Sequence, residues 1–124
     1  MAFRVDIIPS ALADLDSIYL EIKRDSPLNA DRWFRGAVDA IYSLETMPAR
    51  CPVAEESTEL EQEVRLLLFG RRNRGYKIYF AIRHEAHDTG VVRVFHFRHW
   101  ARKALSTDEL QELMDELAND DGEI

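Results

Sequence analysis

The sequence has little of what marks most catalytic or anchored proteins. Among 124 residues there is one cysteine, Cys51, which rules out an internal disulfide and a cysteine-based metal cluster and suits a reducing compartment. Five glycines and four prolines form neither a phosphate-cradling loop nor a low-complexity linker. No serine sits in a nucleophile elbow and no pair of histidines is spaced for zinc on a helix, so neither metal nor cofactor is expected. No apolar run approaches the ~20 residues of a membrane span. Met1-Ala2-Phe3-Arg4 passes straight into a strand-like pattern without an apolar leader, so no membrane partner and a cytoplasmic location are the expectations. At 46% hydrophobic and 31% charged, the chain has the balance of one soluble globular domain.

What the chain does have is charge, unevenly placed. Residues 1–63 carry 6 basic and 13 acidic side chains, residues 64–103 carry 10 and 2, and residues 104–124 carry none and 8. A net charge of −7 therefore hides a middle block as basic as many nucleic-acid-binding surfaces. Solubilising strands and turns is the plain reading of such a block. Its aromatics and histidines turn the reading toward function.

Hydrophobic periodicity gives the order of elements. Phe3, Val5 and Ile7 alternate with Arg4 and Asp6, which predicts a short strand ended by Pro9. Ser10 is the expected N-cap of a helix with Leu12, Leu15, Ile18, Tyr19 and Ile22 on one face. Ser26-Pro27 restarts the chain as cap and first helical residue, and Ala30, Trp33, Phe34, Ala37, Val38, Ile41 and Leu44 supply the next stripe, with Trp33 and Phe34 read as core. Pro48 and Pro52 stop this helix, and the acidic stretch 55–63 reads as a loop. Val64–Phe69 and Tyr76–Ile82 read as strands joined by the basic tip Gly70-Arg71-Arg72-Asn73-Arg74-Gly75. A turn through Asp88-Thr89-Gly90 leads to a third strand over 91–98, completing an antiparallel meander. Ser106 caps a final helix striped by Leu110, Leu113, Met114 and Leu117. The expected fold class is α+β, a helix hairpin packed on a mainly antiparallel sheet of about four strands. Residues 1–105 form the domain, and 106–124 an acidic helix and tail.

Arg65, Lys77 and Arg98 lie on neighbouring strands, and a register placing them on one face would make a cationic groove for successive phosphates. For Arg65, an ion pair with the acidic helices is an equal alternative. His96 and His99 are candidates for acid–base work because imidazole titrates near neutrality, although His96 among apolar neighbours also reads as a core histidine. Tyr76 and Tyr79 can stack on bases or give a proton. Such a set cleaves RNA without metal by polarising a 2′-hydroxyl, stabilising the charged phosphorane and protonating the leaving oxygen. The acidic last segment adjoins the basic block, so it is a candidate to fold back and screen that groove. An amphipathic helix docked only by its stripe is the alternative.

The order of strand, helix hairpin, basic hairpin and last strand, with Val64-Arg65-Leu66-Leu67, Gly75-Tyr76-Lys77-Ile78-Tyr79-Phe80 and Val94-Phe95-His96-Phe97-Arg98-His99-Trp100-Ala101-Arg102, resembles the RelE/ParE toxin superfamily. Ala13-Asp14-Leu15, Ile18-Tyr19, Leu44, Pro48 and Pro52 fit the same pattern, and the resemblance covers residues 2–103. It implies the toxin of a type II toxin–antitoxin pair, held by an antitoxin segment that wraps the hairpin and sheet, as a homodimer or a heterotetramer with the antitoxin. RelE-like members cut mRNA in the ribosomal A site; ParE-like members poison DNA gyrase by binding. On the first reading, which leads here, Lys77, Arg98, Arg102 and His99 are the catalytic residues, and Arg65, Arg71, Arg72, Arg74, Tyr76 and Tyr79 bind RNA phosphate or bases. The other readings are a gyrase poison and a degenerate member that only binds antitoxin. One departure counts against cleavage: Lys103-Ala104-Leu105 stands where some ribonuclease members carry a catalytic tyrosine.

Overall fold

A computed structural model describes residues 2–70, 75–87 and 89–121. The elements run β1 (Arg4–Ile7), α1 (Pro9–Asp25), α2 (Pro27–Tyr42), β2 (Val64–Phe69), β3 (Tyr76–Ala86), β4 (Thr89–His99) and α3 (Thr107–Asp121), with short 3₁₀ turns between α2 and β2. They form the α+β arrangement that the periodicity predicts. The sheet order is β1-β4-β3-β2, with β1 parallel to β4 and the other two pairings antiparallel.

Helix α1 starts one residue before the expected cap. Ile8 precedes Pro9, which takes the first helical position, where a missing N–H costs nothing, so no side-chain cap is used. Ser26 does cap α2, its hydroxyl accepting from the Asn29 N–H at 3.3 Å. The hairpin buries Ala11 and Leu15 from α1 and Ala30, Ala37 and Ile41 from α2. Leu12, expected inside, is 45% exposed. Trp33 and Phe34 are partly buried against the core, as expected of a helical aromatic stripe.

The segment after α2 is less of a loop than its composition suggests. Residues 52–54 run along the outer edge of β2, where the Ala54 N–H donates to the Val64 carbonyl at 2.8 Å and the Leu66 N–H to the Pro52 carbonyl at 3.0 Å. Half of an otherwise bare strand edge is thereby covered. The turn into β4 comes earlier than expected, since Thr89 and Gly90 already belong to the strand, and Asp88 lies outside the described residues. Gly90 is required there, because a Cβ would run into the Arg83 carbonyl of the paired strand.

Candidate functional site

Side chains alternate across a strand, and directly paired residues share a face, so the register sorts the candidates. On one face stand Tyr76, Ile78, Phe80 and Ile82 of β3, opposite Phe69, Leu67 and Arg65 of β2 and His99, Phe97, Val94 and Val92 of β4. The helix hairpin covers this face: Trp33 of α2 packs edge-on against Phe69 and Tyr76, with ring centroids 6.2 and 5.5 Å away. On the other face stand Lys77, Tyr79 and Ala81, opposite Leu68, Leu66 and Val64 of β2 and Arg98, His96 and Arg93 of β4. Here α3 packs, with Leu110, Met114 and Leu117 buried and the Arg93 guanidinium donating to the Leu117 carbonyl at 3.2 Å.

A bulge makes the second grouping possible. Between the Tyr79–His96 and Phe80–Val94 pairs, β4 carries an extra residue, Phe95, which resets its alternation. Arg93 and His96 therefore share a face despite an odd separation in sequence.

The single cationic groove considered from sequence is not what the register builds. Lys77 and Arg98 are directly opposed, but Arg65 points to the hairpin side. Its guanidinium donates to the carbonyls of Ala49 and Cys51 at 3.1 and 2.5 Å and pairs with Glu63, so it ties the 49–54 segment to β2. His99 also lies on the hairpin side, its ring edge-on to Tyr76 at 5.1 Å. His99 Nδ1 accepts the Ala101 N–H at 3.0 Å, so the neutral ring carries its proton on Nε2. Tyr76 is half-buried, and burial, then Glu21, raises its pKa.

On the α3 side, Lys77 lies over the ring of Trp100 at 5.3 Å, a cation–π contact. Arg98 is only 8% exposed, and its Nε donates to the Lys103 carbonyl at 2.7 Å. Arg102 is exposed, its backbone N–H closing a turn onto the His99 carbonyl at 3.0 Å. Tyr79 is fully buried and donates to Glu56 at 2.6 Å; burial first, then that carboxylate, pushes its pKa well above the ordinary value. It is therefore a structural donor and offers no face to a base. Arg71, Arg72 and Arg74 lie outside the described residues.

Between these groups sits His96. Burial, then the positive charges of Arg98 and Arg102, lowers its pKa to about 4, against a smaller opposing pull from Glu109. At neutral pH it is an uncharged imidazole, so its Nδ1, 3.8 Å from Asp14, makes a polar contact and not an ion pair. His96 Nε2 is buried without a hydrogen-bond partner. Asp14 accepts the Phe97 N–H, and its own pKa is raised by burial. Among the described residues no group of His, Cys, Asp and Glu is placed to hold a metal ion, and no helix is long and apolar enough to cross a membrane.

Sequence reasoning missed Trp100 beside Lys77, Asp14 beside His96, Glu56 beside Tyr79 and Glu109 near Arg98 and Arg102. Only Glu109 left a usable signal: Ser106-x-x-Glu109 is the capping-box spacing, and the Ser106 and Glu109 side chains each bond the other's backbone N–H, at 3.0 and 2.9 Å.

A strand, a helix hairpin and an antiparallel meander with a final helix define a small α+β domain. The family model described as the ParE toxin of the type II toxin-antitoxin system, parDE, matches residues 5–104. The chain belongs to that family: it is a type II toxin, and membership implies a cognate antitoxin. A search of curated proteins returns no match.

Proposed function

We propose that this toxin arrests growth by binding its target, DNA gyrase, and not by cutting RNA. The observation that supports this reading is the division of the cleavage candidates between two faces. Metal-free cleavage needs a base, an acid and a cation converging at about 3 Å on one phosphate. His99 is turned to the hairpin side, whereas Lys77 and Arg98 are on the other, with the Arg98 Nε given to a backbone carbonyl. A binding toxin needs only a surface, and Lys77, Trp100 and Arg102 supply cations and an aromatic of the kinds that anchor interfaces.

Ribosome-associated mRNA cleavage is the second reading, favoured by the direct pairing of Lys77 with Arg98 on one face. Induced expression in a bacterial host separates the two when growth, SOS response and mRNA ends are followed together. The binding reading expects arrest with SOS induction, intact mRNA and no dependence on His99→Ala. New cleavage ends on translated mRNA that vanish in His99→Ala would overturn it. Expression without arrest would leave a member that only binds antitoxin.

A further inference from the structure

We infer that α3 is an intramolecular cover over the basic end of β4, and that the toxin engages its target with α3 displaced. This rests on the reading of the chain as a toxin working through that basic face. Four observations carry it. First, α3 begins at Thr107, just beyond the residues 5–104 that the family model matches. Second, it is docked: Leu110, Met114 and Leu117 are buried against the α3-side face, while Arg93 bonds the Leu117 carbonyl. Third, the stretch 104–124 holds 8 acidic and no basic side chains, next to a stretch holding 10 basic and 2 acidic.

The fourth is the placement of Glu109. It is fixed at the helix start by the reciprocal bonds with Ser106, and its carboxylate feels the charges of Arg98 and Arg102. The cap thus sets one carboxylate within the field of two arginines without an ion pair, the helix is held by buried Leu110, Met114 and Leu117 with Leu113 packed beside them, and the linker carbonyl of Lys103 takes the Arg98 Nε. The stripe is short and its rim is charged, the composition of a contact that opens at modest cost compared with a core. An anionic target surface competes with the same carboxylates for the same cations.

Met114→Asp combined with Leu117→Asp tests this in the full chain by a difference of sign. The double variant makes the protein more negative and undocks the helix. If α3 only decorates the surface, binding to single-stranded oligothymidylate weakens. If it is a cover, binding tightens and the plot of log affinity against log salt steepens by ~0.7 for each cation freed on a single strand, beginning with Arg93, which bonds the Leu117 carbonyl while the helix is docked. Asn119→Asp, exposed on the same helix, adds charge without undocking and is expected to weaken binding slightly. Amide exchange must show loss of protection in 107–121 with the sheet still protected. Should the double variant unfold, Leu117→Ala replaces it, because it loosens the docking without changing the charge, and tighter binding is again expected. Weaker or unchanged binding in a folded, undocked variant overturns the proposal. The probe reports exposure of the cations whatever the toxin's target, so failure of the gyrase reading leaves this result interpretable.

Discussion

The two faces of the sheet are built on different principles. On the hairpin side, Ile78, Phe80, Val92, Val94 and Phe97 form an apolar layer under α1 and α2, and the polar groups that reach it, Arg65 and His99, are taken up by backbone or by aromatic packing. On the α3 side, the layer mixes Tyr79 and Phe95 with His96, Arg98 and Arg93, and the apolar stripe of α3 packs beside polar contacts from Tyr79, Arg93 and Arg98. A fold needs only the first kind of face. The second holds a neutral imidazole with its Nε2 unpaired and an almost buried guanidinium, arrangements that cost stability and are more often kept for use than for strength.

The sharpest contrast is in packing. Phe80→Ala, in the middle of the hairpin side, is expected to cost about 3–5 kcal/mol, with the whole chain losing cooperativity in urea. Leu117→Ala, in the last turns of α3, is expected near the low end for a buried leucine, about 2 kcal/mol, with exchange increased in α3 alone. Equal costs with global exchange in both would erase the distinction.

Acid sharpens it further. The unfolded chain takes up a proton on His96 with an ordinary pKa near 6.5, whereas the folded chain resists until about 4. Unfolding therefore gains a proton between those values, and stability falls as pH drops from 6.5 toward 4, by about 2 kcal/mol once partial solvation is allowed for. His96→Gln is expected to flatten that part of the urea-midpoint profile. The smallest effect is at the cap: Ser106→Ala is expected to cost about 1 kcal/mol, read as faster exchange in the first turn of α3.

Much of this was legible in the sequence, and unevenly so between the faces. Alternation in β1, the apolar run of β2, the Ser26-Pro27 start and the apolar stripe of α2 all express local rules that tertiary structure left intact. Where sequence reading grouped Arg65 with Lys77 and Arg98, it lacked the strand register, which no local pattern encodes. The bulge at Phe95 is equally silent, yet it alone puts Arg93 on the same face as His96 and Arg98. The charge partition at residue 104 was visible from composition, but bringing Glu109 within the field of the two arginines depends on a helix folding back across the sheet.

The central claim is that function resides on the α3 side. It is tested most directly by titrating inducer against growth for three folded versions: the wild type, Lys77→Ala combined with Arg102→Ala, and His99→Ala. The account predicts that the double variant needs at least ~10-fold more toxin for arrest, the equivalent of about 1.4 kcal/mol of lost binding, while His99→Ala matches the wild type. Loss of toxicity in His99→Ala with the double variant unimpaired would place the activity on the hairpin side and contradict it.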